Sequence, residues 1–247
     1  MTVKYFCSGF DTKNAFWPEL AIKFKEDLNN FDSIVYIPGG INKVEKTKSK
    51  YIPVFTNHFK NIGINFKKVD MITPDMDIEV AKCLIKNASF IMLLGGDPFS
   101  QKEMCEKLEI MDELKNYNGV MLGFSAGAML MSKYIIITPC SEEYPDFRIE
   151  EGLNLADISI YPHNNFAGDI YPEKVDSDGE IYLKEDLIKV ASEYGDFYLL
   201  QDYLNENGNT DVSLIRCCDN QLEFITCNDG KVFKATKDEV LLLKKKL

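Results

Sequence analysis

The sequence predicts an α/β fold: a three-layer sandwich in which a mostly parallel sheet carries helices on both faces, with a small antiparallel extension near the C-terminus. Two observations predict it. Short β-branched runs alternate with longer amphipathic stretches along most of the 247 residues, the pattern of parallel strands joined by crossover helices. Two of the runs, Phe90-Ile-Met-Leu-Leu and Val120-Met-Leu-Gly, are continuously apolar, as strands covered on both faces must be.

Taken in order, strands are expected at Lys4–Cys7, Ser33–Ile37, Asn65–Asp70, Phe90–Leu94, Val120–Gly123, Tyr134–Thr138 and Ile158–Tyr161. Helices are expected at Pro18–Asn29, Lys48–Asn61, Asp77–Lys86, Ser100–Tyr117, Ser125–Met131 and Lys184–Glu193. Gly63 follows the second of these and suits a helix C-terminus. After about residue 195 the pattern changes to shorter strands, Phe197–Leu200, Val212–Arg216 and Leu222–Thr226, separated by Asn, Asp and Gly turns. This tail is expected to extend the same sheet. No repeat, low-complexity segment or linker interrupts the chain, so residues 1–247 are read as a single domain.

Composition narrows the class. With 28 Lys+Arg against 39 Asp+Glu the net charge is −11, and no basic stripe offers itself to a nucleic-acid backbone. No apolar run reaches the ~18 residues of a membrane span, and the N-terminus is too short and strand-like for a signal peptide. The seven cysteines form no Cys-x-x-Cys pair; they read as reduced, mostly core residues of a cytoplasmic protein. With two histidines, His58 and His163, and no close Cys/His set, neither a metal nor a cofactor is expected.

The chemistry concentrates in Gly123-Phe-Ser-Ala-Gly127. It lies directly after a buried strand and before a helical pattern, so the chain must turn sharply and hold Ser125 in a strained conformation. The hydroxyl then projects from the carboxyl end of the sheet, where open α/β folds bind ligands. The N–H of Ala126, at the helix start, is placed to bond an oxyanion. A glycine-serine turn in this position also serves nucleotide binders as a phosphate loop, although neither a P-loop nor a Gly-x-Gly-x-x-Gly pattern is present. His163, in Tyr161-Pro-His-Asn164, follows another strand and supplies an imidazole able to take a serine proton. The acidic pair Glu142-Glu143 lies between them and is the candidate orienting carboxylate, with Glu142 the first choice and Glu143 the second. That order, serine, acid, histidine, is the order of α/β-hydrolases, but the 38 residues from Ser125 to His163 are too few, which points to a different fold with convergent chemistry. Leu94-Gly-Gly-Asp-Pro-Phe99 ends a further strand and offers backbone N–H groups opposite Ala126; Tyr36-Ile-Pro-Gly-Gly40 is a similar strand end on the same edge.

Three segments together, Leu93-Leu-Gly-Gly-Asp-Pro-Phe99, Gly123-Phe-Ser-Ala-Gly-Ala128 and Tyr161-Pro-His-Asn164, resemble the peptidase E (aspartyl dipeptidase) family of serine peptidases. The resemblance implies a fold similar to class I glutamine amidotransferases. It makes Ser125 the nucleophile, His163 the base, and Gly96, Asp97 and Ala126 the oxyanion hole. It also implies hydrolysis of short peptides after an N-terminal aspartate. The sequence departs from the family where its aspartate is expected: the window Pro139-Cys-Ser-Glu-Glu-Tyr144 holds only glutamates. Arg148 is the one arginine near the site for an acidic substrate. The expected partner is therefore a short peptide, with no nucleic acid and no membrane, and the reading leaves room for a homodimer. Two other readings stay open: a non-catalytic member that binds a peptide or small molecule in the same crevice, and an esterase or transferase using the same triad.

Overall fold

In the structure, a computed structural model, residues 2–9, 16–139, 147–164, 169–177, 180–204 and 210–243 are described. Five strands form the parallel heart of the main sheet in the order β3 (Lys68–Met71), β2 (Ser33–Gly39), β4 (Phe90–Gly96), β5 (Val120–Phe124) and β1 (Val3–Cys7). Each side chain along these strands faces alternately one way and the other. Ile91, Leu93, Met121 and Phe6 enter one core, while Phe90, Met92, Leu94, Leu122 and Tyr5 enter the other. The continuous apolar runs of β4 and β5 are thus two interleaved half-patterns, each covered by its own helices.

Helix starts follow local chemistry. Pro18 opens α1 (Pro18–Asp27), where its missing N–H costs nothing. Asp77 caps α4 (Ile78–Asn87) by accepting from the N–H groups of Glu79 and Val80. The expected helix over 48–61 begins earlier than its pattern indicates. A 3₁₀ turn at Ile41–Lys43 leads into α2 (Val44–Lys46), then a π-turn at Thr47–Tyr51, then α3 (Ile52–Asn61). Pro53 explains the wide turn: it has no N–H to continue the ladder and its ring crowds the preceding turn, so the Ile52 N–H reaches back to the Thr47 carbonyl instead. The expected helix over 100–117 is two, α5 (Pro98–Lys107) and α6 (Met111–Asn116), because Glu109 adopts a φ of 52° and lets Leu108 and Ile110 both enter the core.

Beyond β5 come α7 (Ala126–Met131), β6 (Tyr134–Ile137), β7 (Arg148–Glu151), β8 (Ile160–Tyr161), β9 (Lys174–Ser177), β10 (Glu180–Leu183), α8 (Lys184–Tyr194), β11 (Phe197–Leu200) and β12 (Asp202–Leu204). The chain ends in β13 (Thr210–Cys218), β14 (Gln221–Cys227), β15 (Val232–Ala235) and β16 (Val240–Leu243). The expected antiparallel extension is real in β12, β13 and β14, with β13 pairing β1. The rest of the tail departs from expectation: β11, β15 and β16 join β8 in a separate four-stranded sheet. No helix among the described residues is long and apolar enough to cross a membrane.

Lys4 is an unusual core residue. It is 3% exposed, donates to the Tyr117 carbonyl at 3.1 Å, and burial lowers its pKa to about 8. An amine with a pKa depressed below its unfolded value of about 10.4 weakens the fold wherever it stays protonated. Wild-type stability should therefore rise, relative to a Lys4→Met variant, as pH climbs from 8 to 10.5. The relative gain is roughly 3 kcal/mol. Paired denaturant titrations at pH 7 and pH 10.5 measure it, and a difference that does not move with pH would contradict the buried-amine account.

Candidate active site

β5 ends in a turn that gives Ser125 φ 46° and ψ −114°. An L-residue pays of order 1–3 kcal/mol for such a conformation. The surroundings hold it there: the Ser125 N–H donates to the Cys7 carbonyl at 2.9 Å, and α7 starts at the next residue. Gly127 permits the packing, since a Cβ there would overlap the Leu93 carbonyl of β4.

Ser125 Oγ lies 2.7 Å from His163 Nε2, and His163 Nδ1 lies 2.8 Å from Asp202 Oδ2. A carboxylate oxygen accepts, so Nδ1 carries the ring proton and donates to Asp202. That leaves Nε2 with the lone pair that receives the Ser125 hydroxyl proton. His163 is partly open to solvent while Asp202 is mostly covered. His163 itself has φ 58°, and its backbone N–H donates to Ser8 Oγ at 2.5 Å. The carboxyl end of β1 therefore meets all three residues. Cys7 bonds the Ser125 backbone, Ser8 bonds the His163 backbone, and Gly9 lies against Asp202, whose Oδ2 a Cβ on Gly9 would overlap. The Asp202 charge also joins burial, the larger cause, in holding the Cys7 thiol well above its usual pKa, so Cys7 stays a protonated floor under the site.

The structure brings together Ser125 and His163, as the sequence indicates, but the carboxylate is a correction. Glu142 and Glu143 lie outside the described residues, and the group on His163 Nδ1 is Asp202, so the arrangement is Ser-His-Asp in that chain order. Strand pairing explains it. β8 and β11 are parallel, with Leu199 opposite Tyr161, so the residues just past their ends, Pro162-His163 and Gln201-Asp202, emerge side by side. The Asn164 N–H bond to the Leu200 carbonyl at 2.9 Å fixes this register. The available signal was the strand Phe197–Leu200 ending directly before Gln201-Asp202.

Two further expectations change. Asp97 is not an oxyanion donor: its N–H goes to the Gly39 carbonyl at 2.8 Å, and its carboxylate caps α5 through the N–H groups of Phe99 and Ser100. Gly96 lines the cleft beside Ser125. Gly95 is close to the serine as well; a Cβ on it would be 3.9 Å from Ser125 Oγ. Arg148 lies elsewhere, stacked with its guanidinium carbon 3.5 Å from the centre of the Phe99 ring and bonded to Glu150 at 2.8 Å. Ala126 follows Ser125 at the first position of α7, as expected. His58 lies among Phe16 and Phe55.

Above the serine is a cleft of about 440 Å³ lined by Ser8, Gly95, Gly96, His163 and Asp202, with Lys43, Lys46, Tyr51 and Phe55 along the helical segment that follows β2. The volume fits a short peptide. A larger hollow of about 540 Å³ lies at the opposite end of β5, between Lys86, Asn116 and Gly119, away from the serine and histidine. The contact at Gly9 is directly testable: Gly9→Ala must displace the Asp202 carboxylate. It should lower kcat per titrated site at least tenfold with the melting transition retained, and an unchanged kcat would show that Asp202 does not need its present position.

The sequence profile of peptidase family S51 matches residues 9–189. Among solved structures, a peptidase from an acI-B1 Actinobacterium is 18% identical with a TM-score of 0.63, covering 100% of this chain and 95% of its own. A protein from Listeria monocytogenes EGD-e, assigned by its name to peptidase E, is 17% identical with a TM-score of 0.60, covering 92% of this chain and 100% of its own. At these identities the likeness carries the fold. None of the proteins with curated descriptions matches the sequence significantly.

Proposed function

This chain belongs to peptidase family S51 and is a serine peptidase; from that premise we propose that it hydrolyses short peptides through an acyl-enzyme on Ser125. The reading rests on the unbroken line of two hydrogen bonds, Ser125 to His163 at 2.7 Å and His163 to Asp202 at 2.8 Å, at the floor of an open cleft. Ser125 Oγ bonds to the scissile carbonyl carbon as His163 Nε2 takes its proton, and Asp202 stabilises the imidazolium. The N–H groups of Gly96 and Ala126 receive the oxyanion. Nε2 then gives the proton to the leaving amine nitrogen as the C–N bond breaks. Water attacks the ester, yields its proton to Nε2, and Oγ takes that proton back when the acid departs. A fluorophosphonate probe tests the first step, and recovery of the label on a peptide other than the one containing Ser125 would overturn the assignment.

The finer reading is a dipeptidase that acts after an N-terminal aspartate. With Arg148 held outside the cleft, Lys43 and Lys46 are, among the described residues, the cations that line it and can meet an acidic side chain. The double variant Lys43→Met/Lys46→Met should raise KM for Asp-Ala by ~10- to 100-fold, the worth of a charge-assisted hydrogen bond, and leave Ala-Ala almost unchanged. Equal effects on both dipeptides would remove the aspartate preference from these lysines.

A further inference from the structure

The first turn of α5 is bound to both glycine turns behind the cleft. Asp97 donates its N–H to the Gly39 carbonyl, and Ser100 Oγ accepts the Ile41 N–H at 3.2 Å. Gln101, with no exposed surface, directs its amide nitrogen at three backbone carbonyls: Pro38 at 2.9 Å, Leu94 at 3.2 Å and Ile37 at 3.3 Å. Only the NH2 end of the side chain can face three acceptors, so the orientation of the amide is fixed by its surroundings.

These carbonyls stand where the sheet's own bonding runs out. The ladder between β4 and β5 ends at the pair Leu93 and Gly123. The ladder between β2 and β4 slips between Ile37 and Gly39, and Pro38 has no N–H of its own. Past that slip a single pair, Gly39 with Gly96, ties the end of β4 to β2, and no regular pairing ties it to β5. Yet these residues, Gly95 and Gly96, form the wall facing Ser125. They have no side chains with which to anchor themselves, and Gly96 lies so close to Gly39 that a Cβ there would overlap its carbonyl. The sheet therefore holds this stretch by one pair alone, and the amide of Gln101 adds bonds to the carbonyls on both strands.

We propose that Gln101 is a positioning residue for the reaction, a buried amide that supplements the shortened ladder and holds the Gly95–Gly96 backbone at its distance from Ser125. This rests on the acyl-enzyme reading for its catalytic consequence, but not for its structural one. Gln101 touches no substrate. It acts through the glycine backbone, and displacement of that backbone by about 1 Å is expected to cost on the order of 10² in rate.

Gln101→Leu removes both donors at similar volume. Three measurements decide: hydrogen–deuterium exchange of the peptide spanning residues 93–97, melting temperature, and kcat and KM per titrated site. The expected result is exchange at least tenfold faster in 93–97 with β1 and the start of β5 unchanged, kcat lower by about 10², and KM within about threefold. Gln101→Glu, which when protonated still offers one O–H to the same carbonyls, should keep more of kcat than the leucine variant and lose that advantage as pH rises. Unchanged exchange in 93–97, a loss confined to KM, or a loss that merely tracks the unfolded fraction would each overturn the proposal. If Gln101→Leu does not fold, the exchange and pH profile of Gln101→Glu decide by the same criteria. If wild-type Ser125 takes up no fluorophosphonate, the acyl-enzyme reading falls, while the exchange in 93–97 still supports or overturns the clamp.

Discussion

Replacing Ser125 by alanine will lower kcat for peptide hydrolysis by about 10⁴- to 10⁶-fold, the scale on which serine hydrolases lose rate when the nucleophile is removed. It will also abolish covalent labelling by a fluorophosphonate. The change removes one oxygen that faces the cleft, and its partner His163 is already partly hydrated, so no buried group is stranded and the melting temperature should move by no more than a few degrees. Ser125→Gly adds a control on the turn itself. It removes the same hydroxyl but relieves the φ of 46°, so it should unfold later than the alanine variant by roughly 1 kcal/mol. Residual turnover in Ser125→Ala above about one part in a hundred would mean that another group attacks the carbonyl.

The second large effect belongs to Asp202. In Asp202→Asn the amide donates to His163 Nδ1, which forces the ring proton onto Nε2, where it blocks acceptance from the Ser125 hydroxyl. A loss of order 10⁴ in kcat follows from the wrong tautomer alone, with KM nearly constant because the isosteric amide leaves the shape of the cleft unchanged. Glu142→Gln and Glu143→Gln should each stay within about twofold of wild type. A glutamate variant more damaging than Asp202→Asn would return the orienting role to that loop.

These two residues mark how far the sequence could be read. Ser125 was legible because its signal is local: a continuous apolar strand, glycines two residues to either side, and a helical pattern after it leave one geometry for the turn. His163 was legible because a strand-like run precedes it on the same logic. Asp202 was not. The carboxylate that reaches Nδ1 depends on β8 and β11 lying parallel at one register, 38 residues apart in the chain, and no local pattern encodes which strands become neighbours. Proximity in sequence favoured Glu142 and Glu143 for the same reason that it misled. Asp97 shows the converse. Its position beside two glycines suits an oxyanion donor, but Asp-Pro at a helix start suits a cap equally well, and only the bond to Gly39 decides between them. The break between α5 and α6 and the π-turn ahead of Pro53 belong to the same class, since tertiary burial and a missing N–H override a helical pattern that is locally consistent. The separate sheet of β8, β11, β15 and β16 was hidden because short strands advertise their presence but not their partners.

The meeting of three segments at the end of β1 bears on how the protein is made. Cys7, Ser8 and Gly9 leave the ribosome first, Ser125 and His163 much later, and Asp202 later still, while the antiparallel partner that seats β1, residues 214–218 of β13, emerges after all of them. A polypeptide that still lacks β12 and β13 therefore holds Ser125 and His163 without the carboxylate on the imidazole and without the antiparallel partner of β1. The Ser-His-Asp line is thus completed by the segments of the chain made after all the others that compose it.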